Sequence, residues 1–341
     1  MTTPPSTTWQ EQLAPDEDER FERLARKLRR LQHDRAAAGG AGRALHTKGH
    51  GYLGELRVLE DLAPPLRQGL FAEPRSYRCY VRFSNGAGTR QSDRAGDVRG
   101  VGIKVLGVPG RKVIPGLEDA ATQDFLLIHA PSTPFRDAEE FVGVVVAARS
   151  PLLALPRLFG LLGVGRTFEL LGKLRRSLGQ PFRSVATARY YSALPMRYGA
   201  HAAKLTLVPR ATDEPAGPLR DPQHLRMELQ ARLAGCPVEF DLCAQLYRDE
   251  ATTPIEDPTT AWSEDAAPLE RVATLVLPRQ DSSSARARDI AARIETLSFD
   301  PWHALEAHRP LGSLMRARNV AYRHSTEERG AAPEPDGSEL D

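Results

Sequence analysis

Two short segments at opposite ends of the chain hold side chains that could do redox chemistry together. Near the C-terminus, Arg318-Asn-Val-Ala-Tyr322 sets an arginine four residues before a tyrosine. Four residues is just over one helical turn, so the spacing predicts both side chains on one helix face. A guanidinium beside a phenol favours the phenolate, because a nearby positive charge stabilises the anion. A phenolate is a hard oxygen donor suited to ferric iron, and tyrosine is one of the axial ligands of haem. Near the N-terminus, Arg43-Ala-Leu-His46 leads into the glycine-rich run Gly49-His-Gly-Tyr-Leu-Gly54. An imidazole can accept and return a proton near neutral pH. A histidine across from a tyrosine-ligated haem could therefore move the proton of a bound peroxide. The ordinary alternatives are a packed or surface histidine, and an aromatic on an amphipathic C-terminal helix.

Further stretches turn the pair into a family pattern. Val81-Arg82-Phe83-Ser84-Asn-Gly86 is followed by Asp97-Val-Arg99-Gly100-Val-Gly-Ile-Lys104, then by Tyr198-Gly-Ala-His201-Ala-Ala-Lys204 and Phe299-Asp300-Pro301. In this order, from about Arg43 to Arg329, the chain resembles the haem catalases, in the shortened form of catalase-related proteins. The resemblance implies an α+β fold: an antiparallel β-barrel of the haem catalase type, with a helical insertion and a C-terminal helix carrying the haem ligand. It implies ferric haem b with Tyr322 as the metal ligand and Arg318 beside it. Arg43, Arg82 and Arg329 resemble the arginines that bind the haem propionates; arginine grips carboxylates in a bidentate fork. His46 resembles the distal histidine. Ser84, on the strand face of Arg82 by the period of two, resembles the serine that fixes the histidine ring.

The departures bear on activity. Catalases carry a distal asparagine just before a strand matching Leu126-Leu-Ile128, whereas this chain reads Ala121-Thr122-Gln123-Asp124. Thr122 or Gln123 is expected to supply the missing hydrogen-bonding group. The family's paired phenylalanines are Leu126 and Leu127 here, and Arg323 follows the tyrosine. These changes favour a catalase-like peroxidase over a fast catalase. Such an enzyme would reduce hydrogen peroxide or an organic hydroperoxide through a ferryl intermediate, drawing on a reducing co-substrate. Rearrangement of a fatty-acid hydroperoxide, as in allene oxide synthases, is the enzymatic alternative, and a non-catalytic haem-binding protein is the other. Gly49-His-Gly51-Tyr-Leu-Gly54 also matches G-x-G-x-x-G, but no clean βαβ unit surrounds it and Pro64-Pro65 follows soon after. Glycines that let a strand lie close to a flat macrocycle are the better reading.

The elements that must position these residues can be read more coarsely. A chain of 341 residues is within reach of one large barrel with helical additions. The expected layout is a disordered tail over 1–16, one haem-binding domain over 17–329 with a helical insertion at about 137–189, and a disordered tail over 330–341. Phe21, Leu24, Leu28 and Leu31 predict a helix over 17–38, stopped by Gly39-Gly40. Strand patterns fall at 77–84, 101–106, 124–128, 201–207, 238–246 and 272–277, and further helices at 286–296 and 313–323. Two strand groups separated by helices suit an antiparallel barrel better than a βαβ series.

Composition narrows the partners. A net charge of +2 argues against a dedicated nucleic-acid binder. Three scattered cysteines give neither a disulfide framework nor a zinc site. With no apolar leader and no apolar run of membrane-spanning length, a cytoplasmic enzyme is expected; a homo-oligomer is compatible with the pattern. Residues 149–183 set seven basic residues and the single acid Glu169 among many leucines. Such a segment can seat on an anionic membrane surface. The favoured reading is that the leucines pack over haem and barrel while the arginines face water.

Overall fold

The computed structural model describes residues 4–37, 43, 45–179, 181–216 and 219–336. Its strands are β1 (Gly49–Val58), β2 (Ser76–Asn85), β3 (Arg99–Leu106), β4 (Thr122–Ile128), β5 (Tyr190–Tyr191), β6 (Met196–Tyr198), β7 (His201–Pro209), β8 (Val238–Leu246) and β9 (Glu270–Leu277). The helices are α1 (Glu17–Ala37), α2 (Ala138–Ala147), α3 (Pro151–Leu178), α4 (His224–Gly235), α5 (Ala285–Thr296) and α6 (Ser313–Arg329). The ladder runs β5-β4-β3-β2-β1-β9-β8-β7, and β5 pairs back onto β7. That closes eight antiparallel strands into a barrel, with β6 added on β7 as a hairpin. The antiparallel barrel implied by the resemblance is present, and the fold is α+β.

The period of two sorts every barrel strand into an inner and an outer set. Tyr77, Cys79, Val81 and Phe83 of β2 and Val101, Ile103 and Val105 of β3 belong to one buried apolar core. Their alternates, Arg82, Ser84, Gly100 and Gly102, face the other way. The barrel interior is therefore filled by side chains, and chemistry is left to its outer face. Helix α5 lies across that face, with Ile294 so close to Gly51 that a Cβ there would sit 2.7 Å from it. Helices α1, α2 and α6 share a separate apolar cluster built on Phe21, Leu24, Val142 and Ala317. Helix α4 is an element the sequence reading lacked. Its Leu225, Leu229 and Leu233, at four-residue spacing, join the barrel core.

Both termini differ from expectation. Residues 4–16 are not a disordered tail but an arm docked on the body. Trp9 Nε1 donates to the Ala200 carbonyl at 3.0 Å, and Ser6 N to the Tyr247 carbonyl at 2.9 Å. Glu11 accepts from Arg309, Arg316 and Gly312 N. Residues 330–336 are likewise docked. Ala332 bridges to Leu297, and the Glu334 carboxylate, 8% exposed, pairs with Lys104 at 2.7 Å and accepts from Thr122 and Ser298. Polar and charged partners hold both segments, which is why their polar composition reads as solvated chain. The expected glycine stop at 39–40, and residues 1–3 and 337–341, lie outside the described residues.

The insertion contains α2 and α3. Asp137 caps α2 by accepting from Glu140 N. Helix α3 is broken at Gly163, whose φ of 75° is non-helical, so two arms fold against each other. Thr167 bonds back across the bend to the Leu158 carbonyl, and Phe159 meets Phe168 at 5.8 Å. The favoured packing of the insertion's leucines needs correction. Leu158 and Leu170 are buried, but Leu152, Leu153, Leu155 and Leu161 are exposed, because α3 packs chiefly on α2 rather than over the barrel.

Candidate active site

His46 stands just before β1 with φ of 57°, one of two non-glycine residues at positive φ among the described residues. Left-handed backbone is costly for a residue with a Cβ, and it persists where surrounding contacts over-determine it. Here Arg82 Nη2 donates to the His46 carbonyl at 3.0 Å, and His46 N donates to the Gly86 carbonyl at 3.4 Å. Its Nδ1 lies 3.1 Å from Ser84 Oγ, the contact expected of that pair. Gly100 faces Ser84 in the ladder, and a Cβ on it would come within 3.5 Å of the imidazole. Burial, with the guanidinia of Arg82 and Arg318 nearby, pushes the imidazole pKa down to about 4. The ring is neutral at physiological pH and free to accept a proton.

Arg318 is one of the guanidinia that depress the pKa of the His46 imidazole, so the C-terminal pair lies near it. On α6, Arg318 Nη2 donates to the Tyr322 hydroxyl at 3.0 Å, and its guanidinium lies 5.3 Å from the ring centroid. The i, i+4 spacing thus does what the sequence predicted.

Arg43, Arg82 and Arg329 converge at the C-terminal end of α5. Arg82 forks onto the Glu295 carboxylate at 2.8 and 3.0 Å. A Cβ at Gly49 would lie 2.2 Å from that guanidinium, so only glycine lets Arg82 pass. Arg43 donates to the carbonyls of Glu295 and Leu297, and Arg329 to those of Thr296 and Leu297. They satisfy the orphan carbonyls at the end of α5. Burial and mutual repulsion lower Arg43 to about 9 and Arg329 to about 10. Arg82 holds Glu295, despite burial, below the usual carboxylate range. Three guanidinia against one carboxylate leave two positive charges in excess, which suits a ligand with two carboxylates.

Thr122 and Gln123 are not brought to this site. Thr122 faces Leu106 at one end of the β3–β4 ladder, while Gly100, beside His46, faces Ile128 at the other. Six residues of strand separate the two ends, roughly 20 Å. Thr122 Oγ1 lies 3.0 Å from His303 Nε2 and bonds Glu334, and Gln123 Oε1 accepts from Leu305 N. Counting residues upstream of Leu126 could not reveal that these side chains serve a buried polar network. Glu295 was missed outright, since a glutamate on a helix carries no sequence signal for meeting a distant arginine.

No family model matches the chain. A catalase-related peroxidase of Mycolicibacterium paratuberculosis is 30% identical over 310 residues, which cover 86% of this chain and 92% of that protein. The chain belongs to the catalase-related peroxidases, within the haem catalase superfamily. Solved catalases share its fold. Catalase A of Saccharomyces cerevisiae superposes with a TM-score of 0.65 at 16% identity over 84% of this chain. A fungal catalase superposes with 0.68 at 19% identity over 97%, and a bacterial catalase with 0.63 at 17% over 96%. This chain spans 60%, 66% and 63% of those longer catalases in turn. The family's barrel is thus present here without their full length.

Proposed function

We propose that this protein is a haem-dependent peroxidase that reduces hydrogen peroxide or an organic hydroperoxide at the expense of a reducing co-substrate. The observation that carries the reading is the meeting of His46–Ser84 with Arg318–Tyr322 beside a trio of arginines in charge excess. The residues fit a ferric haem b: the Tyr322 oxygen would hold the iron, and Arg43, Arg82 and Arg329 would take two propionates. On the outer barrel face Gly49 makes room for Arg82 and Gly100 for His46, whereas Ile294 and Phe299 cover Gly51 and Gly102, so the glycines seat the site's own side chains and not a bare macrocycle face. Bound there, haem would supply the redox-active iron. Arg318 donates to the ligand oxygen and so supports its anionic form. With Ser84 engaging Nδ1, the Nε2 of neutral His46 takes a proton from the peroxide and returns it to the departing oxygen. Because residues 121–124 hold no asparagine, and Thr122 and Gln123 bond His303, Glu334 and Leu305 away from His46, peroxidation is favoured over dismutation, in which a second peroxide must be positioned.

The experiment is an absorption spectrum of the haem-loaded protein and of Tyr322→Phe. Phenolate ligation predicts a five-coordinate ferric spectrum in the parent and loss of stable haem from the variant. Full haem content with an unchanged spectrum in Tyr322→Phe would sink the assignment. On peroxide addition, oxidation of a phenolic dye should exceed oxygen evolution; oxygen evolution at the rate of an efficient catalase would contradict the preference.

A further inference from the structure

Among the described residues, seven of the nine exposed large apolar side chains lie on α3. Leu152 is 91% exposed on its first arm; Val164 and Phe168 are each 59% exposed on its second. A soluble protein scatters such residues singly, and their concentration on one element marks an interaction surface. The bend between the arms is open as well: a Cβ at Gly160, Gly163 or Gly165 would meet nothing within 4 Å.

The charges on the same element identify the partner. Glu169, the one acid of α3, is taken up by Arg166 at 3.0 Å and Lys173 at 2.9 Å. Arg157, Arg175 and Arg176 are exposed and have no ion-pair partner among the described residues. Apolar side chains flanked by unpaired arginines complement a surface that is anionic and apolar beneath. A second copy of the chain is a poor match, because a two-fold contact would set this patch against itself and bring like charges together. Spanning is excluded for the described helices, none of which is long and apolar enough. Arms of 12 and 15 residues would reach about 18 and 22 Å, short of the roughly 30 Å hydrocarbon core.

We propose that α3 is an interfacial device that seats the protein on an anionic lipid bilayer, with Leu152, Leu155, Val164 and Phe168 entering the acyl boundary and Arg157, Arg175 and Arg176 at the headgroups. The contact does not depend on haem or on peroxide chemistry. Helix α2 links the seat to α6, since Val142 and Ala317 share one apolar cluster.

The test is co-sedimentation of the full chain with vesicles of phosphatidylcholine mixed with phosphatidylglycerol, against pure phosphatidylcholine, alongside light scattering for oligomeric state. Binding is expected only with the anionic vesicles and should fall with salt. R157Q/R175Q/R176Q should weaken it roughly a hundred-fold, at about five-fold per arginine. L152Q/F168Q should abolish it while changing the thermal midpoint little, because Leu152 faces water and Phe168 is 59% exposed, its ring contact being with Phe159 of the same helix. No binding to anionic vesicles would overturn the proposal. So would a dimer that L152Q/F168Q converts to monomer without any lipid binding, which would assign the face to a second copy.

Discussion

Helices α6 and α3 look alike in sequence, each mixing arginines with apolar residues, and the fold treats them oppositely. Along α6, charges meet partners from elsewhere in the chain. Arg316 contacts Glu11, Glu17 and Glu256; Arg323 and His324 meet Glu22; Glu328 takes Arg29 and His33. Its apolar residues meet α1 and α2. Tyr322 is thereby held on a helix fixed along its length, as the proposed ligand role requires. Along α3 the partners thin out, seven large apolar side chains reach water and three arginines have no ion-pair partner among the described residues. An amphipathic pattern says that a helix has two faces. What covers each face is decided by neighbours that lie far away in sequence.

The largest effect that would sharpen this contrast is at the site α6 serves. On the proposed reading, His46→Ala should retain haem, because Tyr322 and the three arginines proposed to hold it are untouched, yet react with peroxide on the order of 10²–10⁴ more slowly. Stopped-flow absorbance measures it, and a change under about tenfold would remove His46 from the proton-transfer role.

Next comes the foot of α6. Arg316→Ala leaves three carboxylates without their shared guanidinium, at a cost of about 3 kcal/mol. Urea midpoints measure the loss, and, on the proposed reading, a haem-dissociation assay reads whether α6 loosens with it. Equal stability of variant and parent would mean that the arm over residues 4–16 does not secure α6.

Acid separates the two regions further. His308 is buried between Phe71 and Tyr198, and its Nε2 accepts from Leu70 N at 3.0 Å. Burial pushes its pKa down to about 4, as it does for His46. Below the unfolded value of 6.5 the unfolded chain binds the proton and the folded one does not. Stability therefore falls as pH drops from 6.5 towards 4, by about 1.4 kcal/mol per pH unit for each such histidine. Helix α3 holds no histidine, so segment-resolved hydrogen exchange should show protection factors, corrected for the intrinsic rate at each pH, that fall from pH 7 to pH 5 in the barrel and site by more than in the arm. A pH-independent urea midpoint across this window would refute the buried neutral rings.

The smallest effect belongs to the arm itself. Leu152→Gln alone should change stability by less than about 0.5 kcal/mol, the range of ordinary surface substitutions. A larger loss in thermal or urea unfolding would mean that Leu152 packs in solution, and the contrast between the helices would fail.

The amino-acid sequence by itself determined what periodicity and local spacing can encode. The 3.6-residue and two-residue periods located α1, α5, α6 and six barrel strands, and they put Arg318 with Tyr322 and Arg82 with Ser84 on shared faces. The ordered motifs gave the family and hence the barrel. Local rules do not reach across the chain, and the remainder depended on pairings that they cannot express. Only the tertiary structure decided that Glu295 meets Arg82 across 213 positions, and that Glu334 closes on Lys104 across 230. It also decided that Thr122 and Gln123 serve a polar network away from His46, and that the terminal arms dock. A lone charge is solvated or buried according to whether an opposite charge arrives beside it, and that arrival is a property of the fold. The same holds for α3, whose Leu152, Leu153, Leu155 and Leu161 would be core beneath a covering element and are surface here because no described element covers them.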